Sequence, residues 1–344
     1  MIWIRGDANK DIGMGHVMRC LTVAEVLRDR GEEVCFLLAS EDAVPLLQKK
    51  GLSYLVLHSD YRQPEEELEQ LEELLVAHTP ALFLADGYFF TPAYYEVVGK
   101  HTKVACFEDM GQVDPKVDLL INYNIYADEA FYPERHAKAY LCGAGYIPLR
   151  EEFTRESAPD SMDIRENARK VLLTTGGADR YNLAGQILEY ALEHPESSNL
   201  EYYVVSGAAN HHLPVLQALE NKYKNIHLCV AVEQMAELMK SCDVAITAGG
   251  STMYELSAVG VPFVCFSFAE NQQKLVDTYG ENGWSAYAGN YLTREQTMIP
   301  EMIENIMTLV SDSGYRRSLS QTLRTLVDGK GAWRIAQALL NLCE

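Results

Sequence analysis

Positive charge is scarce in this 344-residue sequence: 29 lysines and arginines stand against 49 aspartates and glutamates, a net charge of −20. Such a surface repels phosphate backbones and anionic lipid at long range, so neither nucleic acid nor a membrane surface is expected as a partner. A small anion is still compatible, because local backbone N–H groups suffice to hold it. No stretch approaches the roughly 20 apolar residues of a membrane span. The most apolar one, residues 259–269, is broken by Gly260 and Pro262. The start, MIWIRGDANK, lacks the charged opening and long apolar run of a signal peptide, so a cytoplasmic protein is expected. No CxxC pair occurs among the eight cysteines, most of which lie in apolar runs, so they read as reduced core thiols rather than a zinc site. Neither GxxxxGK[ST] nor GxGxxG is present, which excludes a P-loop and the dinucleotide fingerprint.

What is present is an alternation of short apolar runs and helical patterns. Runs at 2–5, 33–39, 54–57, 81–85, 103–107 and 117–121 read as buried strands. Between the first two, Val17, Cys20, Leu21, Ala24 and Leu27 fall on one helical face, and Gly31 is a stop signal. The pattern resets after a polar stretch, 151–167, which contains Pro159 and reads as a linker. New strands are expected at 170–175, 202–206, 226–230, 243–248 and 262–267, and helices near 293–311, 313–327 and 331–342. Apolar strands separated by helices imply parallel sheets covered on both faces. The expected architecture is α/β: a first Rossmann-like domain over 1–150, a second over 168–330, and a closing helix over 331–344, with the two sheets facing a central cleft. Ligands in such sheets sit beyond the carboxyl ends of the strands.

Two glycine loops follow strands in the second half. One is Gly249-Gly250-Ser251-Thr252, leading into a helix that carries Glu255; the other is Gly176-Gly177-Ala178-Asp179. Glycines let backbone approach a ligand, and a helix N-terminus presents free N–H groups. Ser251 and Thr252 suit a cap or a phosphate, and Glu255 suits vicinal ribose hydroxyls. The pair of loops points to a nucleotide diphosphate, against the plainer reading of two ordinary tight turns. A third loop holds Asn271 and Gln272, whose amides suit sugar hydroxyls or an acetamido group, although Asn271 also suits a helix cap. In the first half, the loop from Arg5 to His16 places His16 just after Gly15, at a helix start. A neutral imidazole there suits a general base, and Asp7 is the expected orienting carboxylate. The alternative is a structural histidine. Asp86, Gly87 and Tyr88 end the fourth strand, and Glu108 and Asp109 the fifth; these acids and the phenol suit sugar hydroxyls or a water. Arg5 and Arg19 are expected to pair with such acids.

The segments RGDANKDIGMGHVMRC, ADGYF, FEDM, TGGADRYN, AGGSTMYE and ENQ, in that order over residues 1–290, resemble the PseG family. These are hydrolases of a UDP-linked diacetamido-trideoxy sugar in pseudaminic acid biosynthesis, similar in fold to GT-B glycosyltransferases such as MurG. The resemblance implies that Gly249, Gly250, Ser251 and Thr252 hold the UDP diphosphate, to which the loop reading adds Gly176 and Gly177. It places Glu255 on the ribose, residues 232–235 with Met235 on the uracil, and Asn271 and Gln272 on the sugar. His16, flanked by Gly15, matches the catalytic histidine and Tyr88 the cleft tyrosine. Water would attack the anomeric carbon with inversion and loss of UDP. No cofactor and no metal are implied, and a monomer is expected. The chain departs from the family's Asp-His-Tyr in having Asp86-Gly87-Tyr88, and Tyr123, Asn124 and Tyr126 add aromatic character. Two alternatives are a GT-B glycosyltransferase using a UDP-sugar donor, and a UDP-sugar-binding protein without catalysis. The acidic first half favours water over a lipid acceptor.

Overall fold

Wherever the sequence alternates apolar runs with helical patterns, the computed structural model shows parallel strands crossed by helices. It describes residues 1–9, 11–111, 113–154, 164–207 and 210–344. The chain divides into two units, Met1–Arg150 with Gly329–Glu344, and Glu151–Asp328.

The first unit contains strands β1 (Ile2–Gly6), β2 (Val34–Leu38), β3 (Ser53–Val56), β4 (Leu82–Asp86), β5 (Lys103–Phe107), β6 (Leu119–Asn122) and β7 (Tyr140–Cys142). They form one parallel sheet in the order β3-β2-β1-β4-β5-β6-β7. Its helices are α1 (Gly15–Asp29), α2 (Val44–Lys49), α3 (Leu68–His78) and α4 (Pro92–Val98). Successive strand residues point to opposite faces. Ile2, Ile4, Leu82 and Leu84 therefore pack with α1 residues Val17, Leu21 and Ala24. Trp3, Phe83 and Ala85 pack on the other face with Leu71, Leu75 and Tyr94 of α3 and α4.

The second unit contains β8 (Lys170–Thr174), β9 (Glu201–Ser206), β10 (Ile226–Val230), β11 (Val244–Ala248), β12 (Phe263–Ser267) and β13 (Ala286–Asn290). Its parallel order is β10-β9-β8-β11-β12-β13. Around it lie α5 (Leu183–Glu193), α6 (Leu213–Lys222), α7 (Met235–Ser241), α8 (Ser251–Val259), α9 (Glu270–Glu281), α10 (Tyr291–Ser311) and α11 (Ser313–Leu326). Residues 155–163 of the expected linker lie outside the described residues. Its described ends pack on this unit: Phe153 is fully buried, Glu152 accepts from the Ala236 N–H at 2.9 Å, and Arg165 pairs with Asp243 at 2.7 Å.

The chain then returns to the first unit as α12 (Gly331–Cys343), whose Ile335, Ala336 and Leu339 join the core beneath α1. The close approach depends on Gly331: a Cβ there would lie 2.1 Å from the Ile147 carbonyl oxygen. The short strands β7 and β13 have no counterpart among the expected strands. β7 spans three half-buried residues, and β13 reads AYAGN with only two residues buried, too little apolar contrast for a strand signal. Among the described residues, no helix is long and apolar enough to cross a membrane.

Candidate functional site

In each sheet the order reverses beside its first strand, between β1 and β4 and between β8 and β11. At such a reversal the loops leaving neighbouring strands go to opposite faces and open a crevice at the carboxyl ends. His16, Asp86 and Tyr88 lie at the first of these points and the two glycine loops at the second, whereas Met235 follows the edge strand β10 and Asn271 and Gln272 follow β12.

In the first unit, α1 covers the face on which Leu82 and Leu84 point inward. Asp86, two residues further on, therefore ends β4 beneath α1. The register sets Asp86 beside Gly6, and a Cβ on Gly6 would lie 3.6 Å from both the Cys20 sulfur and the Asp86 carbonyl oxygen. The helix thus comes down closely on the strand ends. His16 and Arg19, three residues apart, share its lower face. His16 Nδ1 lies 2.7 Å from Asp86 Oδ1. Arg19 spans three strand ends. Its Nε donates to Asp86 Oδ2 at 2.5 Å and Nη2 to Asp86 Oδ1. Its Nη1 donates to Asp109 Oδ2 at 2.5 Å and to the Tyr123 hydroxyl at 2.7 Å. The guanidinium also sits over the rings of Phe107 and Tyr123, 5.1 and 5.3 Å from their centroids.

These contacts fix the charge on Asp86 and the tautomer of the neutral imidazole. Burial favours the neutral acid at Asp86, but the Arg19 guanidinium and the His16 ring outweigh it and hold the carboxyl well below its ordinary range. Arg19 Nη2 also approaches His16 Nδ1, at 3.0 Å. A guanidinium can only donate and a carboxylate only accept, so the nearer Asp86 takes the Nδ1 proton and Arg19 serves the carboxylates. Nε2 then carries the lone pair. It makes no hydrogen bond with the described residues, although His16 is only 4% exposed. The ring borders an open hollow that Ile12, Tyr61, Gly87 and Tyr88 also line. Tyr88 stands edge-on to the imidazole at 4.5 Å and is 52% exposed. Partial burial and the Asp109 charge push its phenol above the ordinary value, so it presents a hydrogen-bond donor.

Asp7 is not the orienting carboxylate. Arg5 and Asp7 extend β1 on the face opposite α1. There Asp7 accepts from Arg5 Nη1 at 2.5 Å and from the Ala39 N–H at 2.7 Å, while Arg5 also grips Glu67 at 2.8 Å. Asp7 reaches the rim of the hollow but not the imidazole's Nδ1. The role expected of it falls to Asp86, which the sequence had placed among the sugar-facing acids. Gly15 is the exposed first residue of α1, with open space where a side chain would be.

In the second unit, the loops after β8 and β11 flank the reversal. Gly176 and Gly177 are exposed, Gly176 at φ 87°. Asp179, which the sequence left as a loop residue, satisfies the start of α5 although Asn182 holds the cap position: its carboxylate accepts from the N–H groups of Leu183 at 2.7 Å and Ala184 at 3.1 Å. The cap of α8 is Gly250 rather than Ser251, at φ 157°, ψ −168°, a corner of backbone space essentially reserved for glycine. Ser251 and Thr252 are the first helical residues, so their N–H groups, not their side chains, form the helix terminus. Glu255 lies half-buried one turn further on. A Cβ on Gly249 would meet Gln272 Cβ and Val276 Cγ1 at 2.9 Å, so the third candidate loop is packed directly on the first. Asn271 does not cap α9; Ala269 holds the cap position and Asn271 lies exposed in the first turn. Gln272 turns its carbonyl back to the Phe268 N–H at 2.9 Å. Met235, half-buried, opens α7 after β10.

Residues 171–320 match the glycosyltransferase family 28 C-terminal domain. The spore coat polysaccharide biosynthesis protein SpsG of Bacillus subtilis is 28% identical, over 100% of this chain and 98% of its own. The UDP-2,4-diacetamido-2,4,6-trideoxy-beta-L-altropyranose hydrolase of Campylobacter jejuni is 25% identical, over 82% of this chain and 97% of its own. The crystal structure of Acinetobacter baumannii MurG superposes with a TM-score of 0.70 over 99% of both chains, at 13% identity. The fold is of the GT-B glycosyltransferase type.

Proposed function

We propose that the protein hydrolyses a UDP-linked sugar at its anomeric carbon. The observation that carries this reading is the His16–Asp86 pair: Nδ1 held by a carboxylate at 2.7 Å, Nε2 without a hydrogen bond among the described residues, and the ring on the wall of an open hollow. A tautomer fixed in this way leaves one basic nitrogen for a water proton. The water oxygen bonds to C1, its proton passes to His16 Nε2, and the bond from C1 to the diphosphate oxygen breaks with its electron pair leaving on UDP. The second unit supports the leaving group. The N–H groups at the start of α8 and the glycine backbone at Gly176, Gly177, Gly249 and Gly250 suit a diphosphate. In this reading Glu255 takes the ribose, the Met235 loop the uracil, and Asn271 and Gln272 the sugar. Tyr88 donates to a sugar oxygen. The similarity to the Campylobacter hydrolase over most of both chains supports water as acceptor and a diacetamido-trideoxy sugar as the substrate type.

Glycosyl transfer to an acceptor hydroxyl is the second reading. It draws on the match to the glycosyltransferase domain and on the exposed apolar side chains of Met14, Tyr88, Phe89 and Met110 on loops of the first unit. The test is UDP release from a panel of UDP-sugars without acceptor. Turnover by the wild type, lost in His16→Ala with UDP binding retained, is the expected result. Release that begins only when an acceptor is added would replace hydrolysis with transfer.

A further inference from the structure

Arg19, its side chain 10% exposed, is the only basic side chain in direct contact with the His16–Asp86 pair among the described residues. Its fork ties together the ends of β4, β5 and β6 through Asp86, Asp109 and Tyr123. The Asp109 end is itself held, since Asn124 Nδ2 donates to the Asp109 carbonyl at 2.7 Å. The thiol and phenols around the pair keep their protons. Burial pushes the Cys20 thiol, 3.4 Å from Asp86, well up, and burial raises the Tyr123 phenol to about 12. Tyr88 is raised likewise, and Asp7 is engaged by Arg5. The proton between His16 Nδ1 and Asp86 Oδ1, 2.7 Å apart, is the one the guanidinium touches from both sides.

We propose that Arg19 is a positioning residue of this centre, its guanidinium limiting the His16–Asp86 pair to a single proton so that Nε2 stays free. Without that cation, Asp86 and Asp109 would face the site with no basic side chain in contact with the pair among the described residues. Burial favours neutralisation, and the nearest group able to take a proton is the imidazole. The pair would then hold two protons, and the base would be lost until the pH rose. A purely structural arginine has no such signature, because damage to packing is not repaired by alkali.

The inference rests on the hydrolytic reading for its kinetic arm but not for its spectroscopic one. The experiment compares the full-length wild type, Arg19→Met and Arg19→Lys. Imidazole nitrogen-15 NMR at neutral pH is read alongside UDP release from about pH 6 to about pH 9, where histidine chemistry titrates. The His16 signal is assigned by its loss in His16→Asn. Arg19→Met is expected to show a doubly protonated His16 at neutral pH and a kcat lowered about 100-fold, the low end for a lost general base. Its kcat should climb with pH, and its KM should move far less. Arg19→Lys, which restores a cation, should keep a singly protonated ring. A wild-type ring signal in Arg19→Met, kcat near the wild type, or a loss equal at every pH would each overturn the proposal. If the wild type releases no UDP from any sugar, the hydrolytic reading fails instead. The NMR arm then decides alone: a doubly protonated ring in Arg19→Met supports the role of Arg19, and a singly protonated one refutes it.

Discussion

Asp86→Asn keeps the shape of the side chain and removes its charge, so it separates orientation of the imidazole from packing. In the wild type this carboxylate receives two N–H groups of Arg19 and the Nδ1 proton of His16, at 1% exposure. An amide offers one acceptor and one donor face. Its donor favours the tautomer with the lone pair on Nδ1 and the proton on Nε2, which cannot accept from water. In a serine protease triad the equivalent substitution lowers kcat by about 10⁴. A single-step hydrolysis with the same carboxylate–imidazole geometry should lose about 10³ to 10⁴ in kcat, with KM changing little. Stability should fall too. Breaking a buried ion pair costs about 3 to 5 kcal/mol when the partner is stranded, and the lower figure applies here because Arg19 keeps Asp109.

The pH dependence of that stability has a definite sign. The folded carboxyl titrates below its ordinary value, so its contribution is present above about pH 4, the unfolded carboxylate range, and declines as acid is added toward its folded value. Urea melts of wild type and Asp86→Asn, compared at neutral pH and at about pH 3, should therefore converge toward acid. A variant with kcat within a fewfold of the wild type, or a stability gap that widens in acid, would refute both the tautomer assignment and the charge assignment.

His16→Ala should lose about 10² to 10⁴ in kcat while its UDP dissociation constant, measured calorimetrically, stays near the wild-type value. Gly249→Ala drives a methyl into Gln272 and Val276, and should weaken UDP binding and lower stability by about 1 to 3 kcal/mol in a thermal melt. Gly331→Ala cannot be accommodated against the Ile147 backbone; limited proteolysis should release the segment carrying α12 sooner than in the wild type, with the second unit unaffected. Asp7→Asn should destabilise the first unit through Arg5 and the Ala39 N–H, yet leave the His16 ring spectrum as in the wild type, because Asp86 and not Asp7 holds the imidazole.

Parallel strands and helices were legible because the central strands of both sheets are buried on two faces, which turns them into continuous apolar runs such as VCFLL and VAITA. Strands that break this rule, Tyr140–Cys142 and Ala286–Asn290, left no such run. His16 was legible as a helix-start histidine after a glycine loop. Its partner was not, because the strand order that brings β4 next to β1 is a tertiary fact, and a carboxylate 70 residues away competes on paper with one nine residues away. Residue parity alone contained part of the answer: Asp7 follows Trp3 and Arg5 on one face, whereas α1 covers the face of Ile2 and Ile4. The glycine loops were visible in the sequence. Which residue caps α8 was decided by backbone angles open to Gly250 and closed to Ser251.

Turnover in oxygen-18 water tests the chemistry most directly. If His16 delivers water to the anomeric carbon, the heavy oxygen appears in the released sugar and none enters UDP. Label in the β-phosphate of UDP would mean attack at phosphorus, and the His16 imidazole of α1 would not be the base for C1.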